Sequence, residues 1–231
     1  TNKTYEFFAK VIFVCASAFN STWVLMNSAT DVWEGGLGSS SGELGHNAMD
    51  HHFRLGAGGR VEGYEDKYFF GRRPTGLYVP RFVNIPSDTK KRDYVRGFGY
   101  QGSGSRGRWS GEIAEMQVGG AWKDALCEPG NWGVGFTAFG EILPYHENKI
   151  SLDKSVKDKS GLPVLSMDME NKDNEQKMRK DMTEEMKEML EKIGVKDVNT
   201  YDGGYNFGMG IHEMGTARMG RDPKTSVLNG N

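Results

Sequence analysis

The spacing of apolar and polar positions changes several times along the chain, and each change predicts an element. Residues 10–15 are a continuous, β-branched apolar run, which predicts a buried strand. Residues 16–21 are small and polar and predict a turn. Asn20 or Ser21 then caps a short helix carrying Trp23, Val24, Leu25 and Met26. Strand, small-residue turn and helix make one half of an α/β unit. Residues 35–45 read as a glycine/serine loop. From about Phe53 to Trp132, short aromatic segments alternate with glycines, residues 77–83 and 98–100 among them, and predict antiparallel strands with wide loops. Residues 136–152 predict two strands broken at Pro144. Residues 168–194 predict the clearest helix. Met178, Met182, Met186, Met189, Leu190 and Ile193 recur there on one face, which implies core packing. Asp173 with Gln176 forms the expected capping box and Gly194 the C-cap. The last segment, residues 203–231, is glycine-rich and polar.

The fold class implied is α+β, an antiparallel sheet with flanking helices, preceded by a partial α/β portion. Composition adds little against this. Hydrophobic residues make up 37% and charged residues 26%, which suits a globular chain of 231 residues. A net charge of −2 gives no basic excess for nucleic acid and no acidic tail. The 32 glycines imply many turns and close backbone approaches. The two cysteines, Cys15 and Cys127, do not make a disulfide framework, and Cys15 in its apolar run is expected as a buried thiol. Lys3 and Lys10 before an apolar stretch, with Ala16-Ser17-Ala18 after it, mimic a signal peptide. The run is short and Glu6 interrupts it, so no such segment is expected. No stretch approaches the length of a membrane span. The compartment, cytoplasmic or periplasmic, stays open.

Some residues tempt a chemical reading and do not carry one. Gly102-Ser-Gly-Ser-Arg-Gly107 fits a dinucleotide fingerprint literally, but no buried strand precedes it and no helix follows, so it is expected to be a loop. Lys90-Lys91-Arg92 reads as a solvated basic run. His51 and His52 would point to opposite faces of a strand and cannot chelate one ion, so no metal site is expected and His51 is assigned a structural role. Trp109, Trp122, Trp132 and Phe136 could stack on a sugar or simply pack in a sheet; both readings stay open, with Trp132 and Phe136 as the substrate-binding candidates.

The most informative run is Gly210-Ile-His-Glu-Met-Gly-Thr-Ala-Arg-Met-Gly220, followed by Asp222-Pro223 and by Ser226-Val-Leu-Asn229. It resembles the active-site segment of the glucose–methanol–choline (GMC) oxidoreductases, in flavour gluconate dehydrogenase large subunits and glucoside 3-dehydrogenases. Residues 10–22 and the stretch Gly36 to His51 are similar to that family's strand, turn and "aspartate-histidine" region. Gly140 to Asn148, then Leu152-Asp153, Asp158 and Gly161-Leu-Pro163, resemble the entry to its C-terminal module. The three stretches keep the family's order, while residues 53–135 match loosely.

The resemblance implies a two-domain arrangement: residues 1–52 as a remnant of the FAD-binding domain, 53–202 as the substrate-binding domain, and 203–231 as a return segment. It implies an FAD-dependent oxidation of an alcohol or sugar hydroxyl, with His212 as the catalytic base. A histidine suits that step because its ordinary pKa lies near neutrality. Ala18, Asn20, Ser21, Gly215 and Thr216 are the implied cofactor contacts, and Arg218 would brace the segment through nearby carbonyls. No dinucleotide fingerprint is present, and the family's second His or Asn partner falls beyond Asn231. The expectation is therefore about half of an enzyme, inactive alone and not retaining FAD. Its partners would be a sugar or small alcohol, an acceptor such as oxygen, a quinone or a cytochrome, and a possible partner subunit. The alternative is a non-catalytic carbohydrate-binding or interaction module.

Overall fold

The computed structural model describes residues 3–67, 76–85, 92–107, 119–127, 130–204 and 207–229. In chain order these form α1 (Ala18–Asn27), β1 (Leu55–Val61), β2 (Leu77–Val79), β3 (Phe98–Arg106), α2 (Gly120–Cys127), β4 (Trp132–Gly140), β5 (Lys149–Lys157), β6 (Pro163–Asp168), α3 (Asp173–Lys192), β7 (Lys196–Asp202), β8 (Met219–Gly220) and β9 (Leu228–Asn229). They gather into two compact units. The sheet unit comprises Asp50–Leu143 and Asn171–His212, and the segmented unit comprises Thr1–Met49, Pro144–Glu170 and Glu213–Asn231.

The sheet unit is a five-stranded antiparallel sheet in the order β2-β3-β4-β1-β7. Alternation along each strand sends one set of side chains to a single face. There Leu55, Ala57, Phe98, Tyr100, Phe136 and Ala138 are buried against Met178, Met182, Met186 and Leu190 of α3. A stripe of period 3.6 thus covers a face of period two, and the Tyr100 hydroxyl donates to the Met182 carbonyl at 2.9 Å. At one side of the helix, Arg92 pairs with Asp181 at 2.8 Å and Glu185 at 2.5 Å, and the Tyr94 hydroxyl donates to Asp181. Arg92 is therefore not the solvated residue its basic run suggested: its side chain is only 15% exposed, because two carboxylates on α3 compensate its burial. Lys90 and Lys91 lie outside the described residues.

Several element boundaries differ from expectation for identifiable reasons. α3 begins at Asp173, because residues 163–168 are spent on β6. Its entry is held by Glu175, whose carboxylate accepts the Lys172 backbone N–H at 3.1 Å, rather than by an Asp173–Gln176 box. Its exit follows expectation. Gly194 has φ +88°, its N–H donates to the Glu191 carbonyl, and the Val195 N–H donates to the Leu190 carbonyl, a Schellman ending. Ile193, placed on the apolar face by spacing, is instead exposed at the C-terminus of the helix. β2 stops at Val79, where Pro80 supplies no N–H to continue the ladder. The glycine run at 102–107 is no loop: residues 102–106 are part of β3. A Cβ on Gly102 would lie 2.5 Å from the Phe136 ring, so a bare backbone is what lets the two strands pair.

The segmented unit holds α1, the β5–β6 hairpin and the short parallel pair β8–β9. Phe19, Ala48 and Ile150 form its small core with Ala18, Met26, Leu165 and Met169 around them. The Trp23 indole N–H donates to the Pro163 carbonyl at 2.7 Å. Residues 10–15 do not form the expected buried strand. Val11, Ile12, Phe13 and Val14 are exposed, as is the Cys15 thiol. A β-branched run favours extended backbone, but a strand needs a hydrogen-bonding neighbour, and among the described residues none lies beside it. α1 starts at Ala18, so Asn20 and Ser21 sit within its first turn instead of capping it.

Candidate active site

In the sheet unit, the residues around His212 are organised by one carboxylate. Asp50 is buried, and it accepts four backbone N–H groups: His51 at 2.7 Å, Gly210 at 2.8 Å, and Gly208 and His212 at 3.2 Å each. Such a cage of donors holds an anion firmly in place of water. It also fixes the turn 208–212 against residues 50–51. Within that turn Ile211 has φ +57°, a conformation that a β-branched side chain adopts only under constraint. The next residue, His212, carries its imidazole exposed.

That imidazole lines a cavity of about 240 Å³ with His51, Tyr78, Arg81, Gln101, Phe139 and Glu141. The His51 and His212 rings meet edge to face at 4.9 Å, and His51 makes a second edge contact with Phe139. His51, assigned a structural role from sequence, thus belongs to the pocket. Its neighbour His52 is fully buried on the other side, and burial first, then the nearby Arg179 guanidinium, lowers its pKa from 6.5 to about 3. Glu141 forms a bridge with His51 through the backbone and receives Arg81 Nη1 at 2.9 Å on its carboxylate.

Trp132 and Phe136 are not among the residues lining this cavity. Phe136 is buried in the core between sheet and α3, and Trp132 lines a separate, mostly apolar cavity of about 400 Å³ with Tyr64, Val61 and Val134. Trp122 is half-buried on α2, and Trp109 lies outside the described residues.

The segmented unit brings the other sequence candidates together. The Thr22 and Thr216 hydroxyls share a hydrogen bond of 2.7 Å, which ties α1 to the segment after His212. Thr216 is fully buried, with its hydroxyl engaged by Thr22 and its carbonyl accepting the Gly45 N–H at 2.8 Å, so it braces the segment. Gly215 has φ +96°, and a Cβ there would lie 1.9 Å from the Asn47 carbonyl. Ala18 is half-buried. The Ser21 hydroxyl accepts the Ala16 N–H at 3.2 Å, and Asn20 exposes its amide. Arg218 braces the segment as its type suggested, donating to the Thr225 carbonyl at 2.9 Å and pairing with Glu43 at 3.0 Å. Among the described residues, no three His, Cys, Asp or Glu side chains are set to hold a metal ion, and no helix is long and apolar enough to cross a membrane.

Sequence reading missed Asp50 and Glu141. Asp50 was quoted in the aspartate-histidine stretch, and an acidic residue beside a pocket histidine was the available signal. Glu141 carried none, because its role depends on a cross-strand neighbour.

An antiparallel sheet backed by one helix, with a histidine raised on a caged turn beside a polar pocket, makes this unit an α+β domain. Residues 144–231 match the family model of the GMC oxidoreductases. The whole chain is similar to 2-methyl-1,2-propanediol dehydrogenase of Mycolicibacterium austroafricanum, 33% identical over 241 aligned positions that cover 99% of this chain and 42% of that protein. It is also similar to the gluconate 2-dehydrogenase flavoprotein of Pantoea cypripedii, 31% identical over 117 positions, 48% of this chain and 19% of that protein. The similarity is thus to the GMC oxidoreductases, with residues 144–231 matching the C-terminal family model directly. It spans less than half the length of these curated relatives.

Proposed function

We propose that this chain supplies the substrate pocket and the proton acceptor of an FAD-dependent alcohol or sugar oxidoreductase. The observation that carries this reading is the His212 imidazole, exposed at a pocket rim on a turn held by the buried Asp50 carboxylate. The names of the two relatives, a diol dehydrogenase and a gluconate dehydrogenase flavoprotein, support the same class.

Oxidising an alcohol removes a hydroxyl proton and a hydride from one carbon. In this reading His212 takes the hydroxyl proton at an imidazole nitrogen, and His51 limits the tilt of that ring by its edge contact. Phe139 offers an apolar wall and Glu141 a hydroxyl acceptor, which together orient the substrate. FAD, when bound, supplies the hydride acceptor. The segmented unit offers part of its site: Asn20 exposes its amide on the first turn of α1, and Gly215, half-buried, holds a bare backbone against Asn47. Asn20, Ser21 and the backbone of Ala18 and Gly215 are the groups that would hold the cofactor.

The test is His212→Ala in the FAD-loaded full-length protein. The rate of flavin reduction by substrate is expected to fall about 10²- to 10⁴-fold, the usual contribution of a positioned base, with flavin content unchanged. Reduction at the original rate would exclude His212 as the proton acceptor.

A further inference from the structure

We infer that the His212 pocket selects a neutral, polyhydroxylated alcohol and rejects its carboxylate analogue, with Glu141 as the specificity-determining residue; this rests on the alcohol oxidation proposed above. A carboxylate ligand is normally gripped by a guanidinium fork or another free cation. Among the described residues Arg81 is the guanidinium lining this pocket, and each of its edges is committed elsewhere. Nη1 donates to Glu141 at 2.9 Å, Nε to the Val83 carbonyl at 3.0 Å, and Nη2 to the Asn84 carbonyl at 2.6 Å. Arg96 faces the second Glu141 oxygen at 3.9 Å. The positive charge is thus gathered around Glu141, and the carboxylate presented to the pocket is the protein's own.

The remaining walls suit hydroxyl groups. Gln101 and Tyr78 are paired across β2 and β3, both exposed, and neither side chain makes a hydrogen bond among the described residues. An amide offers donor and acceptor together, a phenol both in one group, and Glu141 acceptors only. Phe139 adds an apolar face for C–H groups. A cavity of about 240 Å³ is smaller than the roughly 300–1,000 Å³ of a drug-sized site, so it holds one small molecule.

Isothermal titration of this chain tests the inference without any flavin, using D-glucose against D-gluconate and 1,2-propanediol against lactate. The neutral member of at least one pair is expected to bind about tenfold more tightly than its acid. In Glu141→Gln, which removes the negative charge while keeping an acceptor for Arg81, the acid is expected to gain about tenfold and the preference to vanish. Equal or tighter binding of both acids by the unaltered chain overturns the inference, as does binding of none of the four; this comparison holds even where the variant fails to fold. A folded Glu141→Gln chain with an unchanged preference also overturns it. The His212→Ala experiment reports separately. Turnover lost without a neutral preference removes only the substrate assignment, and a neutral preference with turnover unaffected removes only the proton acceptor.

Discussion

Adjacent imidazoles in the sheet unit have opposite surroundings. His51 lines the pocket, while His52 is fully buried and its pKa is lowered to about 3, chiefly by the loss of water around its charged form. The sign of the pH effect follows. Near neutral pH the group is uncharged in both folded and unfolded chains. As pH falls below about 6.5 the unfolded chain takes up a proton that the native state refuses, so stability is lost from there down to about pH 3. Between pH 6.5 and 5 the folding equilibrium is expected to weaken by up to roughly tenfold per pH unit, and His52→Leu is expected to flatten that slope. Urea unfolding at three pH values in this range measures it; a slope unchanged by the substitution would remove His52 as the cause. At the residue scale a pocket position was legible for His212, because the Gly210 to Gly220 motif surrounds it. It was not legible for Glu141, whose partner Arg81 lies 60 residues away in sequence.

The element that matters most for the site is the short turn 208–212, not a helix or a strand. Its left-handed Ile211 is held by the Asp50 cage. Asp50→Asn replaces an acceptor oxygen with a donor and sets N–H against N–H. A loss of about 2 kcal/mol of sheet-unit stability is expected, the cost of leaving buried donors unsatisfied, together with slower flavin reduction in the loaded full-length protein. Urea midpoints and stopped-flow absorbance measure the two, and reduction at the original rate would mean that the cage does not position His212. Regular elements were more visible from sequence than this turn. The methionine stripe gave α3 and its core face, since Met178, Met182, Met186 and Leu190 repeat at helical spacing and all are buried. The β3 glycines misled, because the Phe136 ring that excludes a side chain at Gly102 is invisible along the chain.

At the scale of the molecule, the fold class was legible because strand alternation and helical spacing are local, and the sheet pairs its strands β3-β4-β1 by simple antiparallel contact. The failure at residues 10–15 has a global cause. Local pattern calls for a strand, but a strand's hydrogen bonds are supplied by neighbours, and here Tyr5, Phe7, Phe8, Val11, Ile12, Phe13 and Val14 stand exposed. The chain matches less than half the length of its curated relatives, so the proposed chemistry belongs to the full-length, FAD-loaded protein. Its central claim is that the His212 imidazole accepts the substrate proton. Adding free imidazole to the His212→Ala full-length protein tests this most directly. Flavin reduction by the alcohol is predicted to recover in proportion to imidazole concentration and to saturate. A rate that stays at the level of the variant at every concentration, with flavin and substrate still bound, would contradict the account.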